Sequence, residues 1–162
     1  METLTLIGQT LFTGLLTGWL AIGLIENFRA PGVNRDLVSA VLNMERIARE
    51  RPEIHVLVKG NAIVSPRVHG VVWVAILVAE TLATLALTAG TGALALAALG
   101  LVGAEPARLI AGAGVLGFTA IWGGMLVGGQ WVHYWAVWKD SQFTHYFMTL
   151  WGVVTFLALI LP

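Results

Sequence analysis

Glu80 and His69 are the residues best placed to do chemistry, because this acid and this imidazole lie eleven positions apart in one apolar stretch. Eleven residues of α-helix make three turns plus about 20°, so both side chains project from nearly one face, roughly 16 Å apart along the axis. An intramembrane carboxyl is expected to face inward and to be paired or protonated. Counting depth along each apolar stretch puts three threonines near the level of Glu80: Thr17, Thr119 and Thr155. The acid therefore indicates either proton or ligand handling, or a structural hydrogen bond to a neighbouring helix.

Three of the four histidines, His69, His133 and His145, fall at one end of the apolar stretches. Two facing imidazoles can ligate haem iron or a metal ion, as in an anchor that holds haem b. The alternative is an interfacial belt, in which amphipathic rings lie between lipid and water. Four further aromatic residues cluster with the histidines: Trp131, Tyr134, Trp135 and Trp138. Since no His-x-x-x-His pair accompanies them, we expect the belt and no cofactor, with haem b kept as the alternative.

Four apolar stretches must position these side chains: 3–25, 68–87, 109–132 and 143–161. The first has no ionisable residue in 23 positions, and about 20 apolar residues suffice to cross a bilayer. We therefore expect an all-α integral membrane protein, with residues 1–162 forming a single four-transmembrane-helix bundle. The apolar segment 93–102 is too short to cross, and is either re-entrant or part of one overlong helix.

Charge predicts the orientation of the bundle. The loop 26–67 holds seven of the nine basic residues, and the turn at Lys139 adds an eighth, whereas the opposite side has only Arg108. Lysine and arginine accumulate on the cytoplasmic side of membranes, so we expect a cytoplasmic loop and periplasmic termini. The formal net charge of zero gives no support for a nucleic-acid partner.

The loop itself is expected to contain one amphipathic helix. Asn34 is a candidate N-cap, the apolar residues recur every three to four positions up to Glu50, and Pro52 would end the helix. Such a helix suits the membrane surface or a partner, or it is a short solvated helix packed on the bundle.

Small residues predict where the spans pack together. In lipid, close backbone approach rather than the hydrophobic effect drives helices together. Two stretches carry glycine at the required spacing, and the candidates are Gly14, Gly18, Gly117, Gly124 and Gly128.

Several segments resemble one bacterial family. They are Asn27 with Asp36 and residues 37–45, residues 62–66 with His69 and Glu80, and residues 117–131 with Trp135 and Trp138. The family is that of the predicted small integral membrane proteins called domain of unknown function 2165. The resemblance covers nearly the whole chain and implies four spans in a bacterial inner membrane, but it supplies no activity.

No nucleotide-binding loop, nucleophile elbow or zinc-protease motif is present, so we do not expect an enzyme. We expect a non-catalytic accessory or structural subunit of a larger membrane complex. Its partners would be lipids and either other integral membrane subunits or further copies of itself. The alternatives are a proton-coupled transport component that uses Glu80 and the haem b anchor.

Overall fold

A computed structural model describes residues 1–161, which fold into helices and short turns without a strand. The last residue of the predicted domain, Pro162, lies outside the described residues. Seven α-helices follow one another: α1 (Glu2–Arg29), α2 (Pro31–Leu42), α3 (Glu45–Glu50), α4 (Pro52–Val58), α5 (Pro66–Ala98), α6 (Ala104–Trp131) and α7 (Lys139–Ile160). Two 3₁₀ turns, Lys59–Asn61 and Tyr134–Ala136, precede α5 and α7.

Four of these helices, α1, α5, α6 and α7, are long and apolar enough to cross a membrane. The predicted all-α, four-span fold class is therefore confirmed. The end of the bundle that carries residues 30–65 is called the loop side here, and the opposite end the terminus side. Many large apolar side chains on the long helices remain exposed, among them Val71, Leu109 and Val127, as expected for surfaces that face lipid.

The bundle is built around the α5–α6 hairpin, with α1 packed on α5 and α7 packed on α6. Its core is apolar and includes the fully buried side chains of Leu16, Leu87, Leu94, Val115 and Phe118. α5 runs for 33 residues without a break, so the segment up to Ala98 belongs to one long helix and the re-entrant alternative for 93–102 is wrong. The turn to α6 contains Gly100 at φ +75°, a conformation that glycine adopts without strain.

The closest helix–helix approach occurs at two glycines that the sequence pattern did not single out. A Cβ atom at Gly90 would overlap the backbone of Ala111, and one at Gly114 would lie 2.6 Å from the backbone nitrogen of Leu87. The backbones of α5 and α6 therefore touch, which only residues without a side chain permit.

The five predicted packing glycines divide into two groups. Gly14 faces Thr91 of α5 and Gly117 faces Ala83, and a Cβ atom added at either glycine would lie 3.4 or 3.3 Å from that neighbour. Gly18, Gly124 and Gly128 have nothing within 4 Å, so they make no close helix contact among residues 1–161, and their packing against another chain stays a prediction. They lie on faces of α1 and α6 that no other helix among residues 1–161 covers.

The loop folds into a cap of short helices, called the loop cap (residues 31–65). The single helix expected from Asn34 to Glu50 is wrong, because the chain breaks at Met44, whose φ is 57°. Met44 and Ile47 are buried in a second small core with Val132 and Tyr134, and the break turns both apolar side chains toward it. A helix does end at Glu50, as predicted, and Pro52 then begins α4.

Candidate functional site

α5 carries a stripe of buried polar and aromatic side chains along its inward face. His69, Trp73 and Glu80 are buried, with 6, 7 and 7% of their surfaces exposed. The four- and seven-residue steps between them keep all three on one side of a helix. The shared face expected from the sequence is therefore present, but the two titratable groups have separate partners.

Glu80 is bonded to the end of α1. The Nδ2 amide of Asn27 donates to Oε2 of Glu80 over 2.7 Å, and Asn27 is itself only 5% exposed. The Oδ1 atom of Asn27 in turn accepts from Nδ2 of Asn34, over 2.6 Å. Asn34 is exposed, so the three side chains form a polar path from the surface of the loop cap to the buried carboxyl.

The register of α1 explains why Asn27 reaches Glu80. The two helices run antiparallel, and the hydroxyls of Thr17 and Thr91 lie 2.9 Å apart. The ten residues from Thr17 to Asn27 on α1 therefore run beside the eleven residues from Thr91 back to Glu80 on α5. The expectation that Thr17 lies level with Glu80 is therefore wrong. Glu80 also bonds neither Thr119 nor Thr155. The acid lies beside the loop-side end of α1 instead of its middle.

Sequence reasoning missed the roles of Asn27 and Asn34. Asn27 marked only the end of a span, and Asn34 fitted the pattern of a helix cap, whereas its side chain bonds Asn27. The available signal was the seven-residue spacing of two amides across Pro31, at the start of the charged loop 26–67.

His69 holds the segment that leads into α5. Its Nε2 lies 2.5 Å from the carbonyl oxygen of Ile63, and a carbonyl can only accept, so Nε2 carries the proton. The amide of Ile63 donates to the carbonyl of Leu42 over 2.9 Å. His69 therefore ties the loop cap to α5 through two successive hydrogen bonds.

His145 stacks in an aromatic group at the start of α7. Its ring lies 5.8 Å from that of Tyr134 and 5.5 Å from that of Trp122, and its Nδ1 is 3.3 Å from the Tyr134 hydroxyl. His133 lies between α6 and the second 3₁₀ turn with φ 52°, and its Nδ1 lies 3.2 Å from the carbonyl of Trp131. The three candidate haem ligands thus bond three different groups. Among residues 1–161, three or more His, Cys, Asp or Glu side chains nowhere gather into a metal-binding group.

One comparison with known proteins gives the family of the chain. A family model described as "Predicted small integral membrane protein (DUF2165)" matches residues 5–162. The chain belongs to this family. No curated protein and no solved structure gave a match. Membership establishes an integral membrane protein and leaves its task to the residues themselves.

The aromatic residues of this family member differ in burial. Trp131 and Trp135 are 60 and 38% exposed, as a ring at the lipid–water boundary would be, and Trp138 lies under the guanidinium of Arg46 at 4.7 Å. Tyr134 is only 3% exposed, so its expected place in the belt is wrong. Its ring occupies the space that the absent side chain of Gly129 leaves, and burial raises the pKa of Tyr134 to about 12.

A second buried amide holds the terminus side together. Gln9 is 3% exposed, donates from Nε2 to the carbonyl of Ala158 over 2.8 Å and accepts from Nε of Arg108 over 3.0 Å. One side chain thus joins α1, α6 and α7. In the sequence Arg108 stood out only as the single basic residue of its side, and the lone glutamine in the first span was the signal for its partner.

Proposed function

We propose that the protein is a non-catalytic accessory or structural subunit of a larger complex in the bacterial inner membrane. In this proposal the loop cap is cytoplasmic and both termini are periplasmic, as the distribution of basic residues favours. Its partners are lipids and the helices of other membrane subunits or of further copies of the chain.

One observation supports this proposal above the others, namely an open groove between α5 and α6. Its volume is about 440 Å³, and six of its eight lining residues are alanine or glycine: Ala79, Leu82, Ala83, Ala86, Ala113, Gly117, Ala120 and Ile121. Gly124 and Gly128, which have nothing within 4 Å, continue the same face of α6 toward the loop side. Small residues let a neighbouring helix approach closely, so the groove suits a transmembrane helix of a partner.

Site-specific cross-linking in the membrane tests this proposal. A photo-reactive amino acid at Ala120, in the groove, is expected to give a discrete adduct with another polypeptide in native membranes. The matched control is Ile22, which is 64% exposed on α1 and far in sequence from the groove. Lipid adducts alone at both positions would remove the accessory-subunit proposal.

A second candidate function, proton coupling through Glu80, is favoured by the polar path from exposed Asn34. In this case Glu80 exchanges a proton with the loop side through water that enters beside the two amides. Glu80→Gln keeps the shape and a hydrogen-bond acceptor for Asn27, so a purely structural Glu80 predicts an unchanged phenotype. Loss of growth or transport at unchanged protein abundance would favour the proton-coupled function.

We propose no resident cofactor. The haem b alternative, with ligands among His69, His133 and His145, predicts a Soret band in the purified protein. A colourless preparation that stays colourless after haem addition would end that alternative.

A further inference from the structure

The basic residues of the loop side fall into two groups according to their ion pairs. Four of them pair with carboxylates of the loop cap: Arg35, Arg46, Arg49 and Arg51. The other four form no ion pair with any of residues 1–161: Arg29, Lys59, Arg67 and Lys139. The unpaired group lies at the ends of the spanning helices and in the first 3₁₀ turn, the level at which lipid headgroups would supply anions.

α4 presents apolar side chains next to one of these unpaired cations. Ile54 and Val58 pack against the small core of the loop cap, while Val56 and Leu57 on the same short helix are 65 and 83% exposed. Lys59 follows directly in the 3₁₀ turn. A single exposed leucine needs no explanation, but an adjacent apolar pair beside a free lysine has the composition of a segment at the membrane surface.

Hydrogen bonds place this segment level with the membrane boundary. Nδ2 of Asn61 donates to the carbonyl of Trp131 over 2.9 Å, and the Trp131 indole donates to the carbonyl of Asn61 over 3.1 Å. Trp131 ends α6 and is 60% exposed, and tryptophan favours the lipid–water interface. The 3₁₀ turn is therefore fixed at the end of a spanning helix.

The exposed apolar surface also continues into the spans. Val64 is 73% exposed two residues before α5, and Val68 and Val71 on the first turns of α5 are 40 and 69% exposed. Val68 and Val71 are three positions apart, the spacing of one helix face. The surface around Arg67 is thus continuous with the surface that faces lipid.

We infer that α4 and the 3₁₀ turn after it dip into the loop-side leaflet, with Val56 and Leu57 among the acyl chains and Lys59 and Arg67 on the phosphates of anionic lipids. Long basic side chains reach headgroups while their stems stay in apolar surroundings. α3 carries two of the four paired arginines, Arg46 and Arg49, and therefore faces water. The loop cap is then a membrane-bound element, and the short helix α4 is the segment that anchors it.

Spin labelling tests the insertion directly. A nitroxide at Leu57→Cys, in the full chain reconstituted into phosphatidylcholine–phosphatidylglycerol vesicles, is expected to collide with oxygen more than with a water-soluble nickel chelate. The lipid reference is Val127→Cys on α6, 76% exposed, and the water reference is Ala48→Cys on α3, which is exposed. Val56→Cys repeats the test should the first label perturb the fold.

The headgroup contacts are tested by the preference for anionic lipid. The affinity for brominated phosphatidylglycerol is measured by its quenching of the tryptophan fluorescence. Each of Lys59→Gln and Arg67→Gln should lower this affinity by roughly fivefold. Arg49→Gln, which removes a cation already paired with Glu50, should leave the preference unchanged. A Leu57 label that behaves like the one at Ala48, or a preference for anionic lipid that is undiminished in the Lys59→Gln, Arg67→Gln double variant, would overturn the inference.

Discussion

Replacing Asn27 by leucine should destabilise the bundle more than any change at the exposed end of the same hydrogen-bond path. Asn27 and Glu80 are both buried, and the substitution removes the 2.7 Å bond to the carboxyl. An unpaired buried polar group costs about 1–3 kcal/mol, whereas interhelical bonds in membranes average ~0.6 kcal/mol. We therefore expect Asn27→Leu to lower the free energy of unfolding by about 2 kcal/mol. Asn34→Ala, at the exposed end, should cost less than ~1 kcal/mol.

A double-mutant cycle separates the bond from the bulk of the side chains. Replacing both partners of a buried hydrogen bond by apolar groups is close to neutral, so Asn27→Leu combined with Glu80→Leu should recover much of the loss. We expect a coupling free energy of about 1 kcal/mol or more, measured by SDS titration in mixed micelles with tryptophan fluorescence as the signal. Independent sites add within ~0.5 kcal/mol. Additive losses would show that Asn27 does not support Glu80 and would refute the polar path.

Three further changes test other contacts. Gly90→Ala should lower the free energy of unfolding by about 1–3 kcal/mol, because the new methyl group meets the backbone of α6. The control Gly92→Ala places its methyl group in open space and should leave the free energy of unfolding unchanged or raise it by up to ~1 kcal/mol. Thermal unfolding compares the two variants. His69→Leu should speed hydrogen exchange in the segment before α5, because it leaves that segment's carbonyl unpaired; unchanged exchange contradicts the tie. Tyr134 should titrate above the ordinary tyrosine pKa of about 10 by ultraviolet absorbance in a Tyr146→Phe background, because burial is the main cause of its raised pKa. Its contribution to stability is complete below pH 10 and falls between about pH 10 and 12.

The four spans could be predicted from the sequence because a long apolar stretch is stable in a bilayer as a transmembrane helix. A stretch such as 3–25 excludes charges over the thickness of a bilayer, and helices satisfy their own backbone hydrogen bonds there. The inward face of α5 followed from periodicity alone, since His69 and Glu80 are fixed at eleven residues on one helix. These inferences depend on local geometry and need no knowledge of neighbours.

The contacts between helices could not be predicted in the same way, since each depends on how far one helix slides along another. Glycine spacing indicated Gly124 and Gly128, yet the closest approach lies at Gly90 and Gly114. The glycine pattern indicates which helix faces lack large side chains, but it does not predict which neighbouring helix packs against them. The prediction of one loop helix failed for a related reason, because the break at Met44 is set by a small core that residues far along the chain complete.

The two buried amides of α1 explain how its register is fixed without a hydrophobic driving force. Gln9 and Asn27 are eighteen residues apart, which is five whole helical turns, so both project from one face. The residues between them on that face are mainly leucines and threonines, which could pack in several registers. Sliding α1 by one residue would rotate both amides by about 100° and break the bonds to Arg108 and Glu80 together. The carboxyl of Glu80 therefore helps to fix the register of α1 against α5. For this reason Glu80→Gln, which keeps the hydrogen bond, separates the proton-coupled role from the structural role, whereas an apolar substitution would remove both.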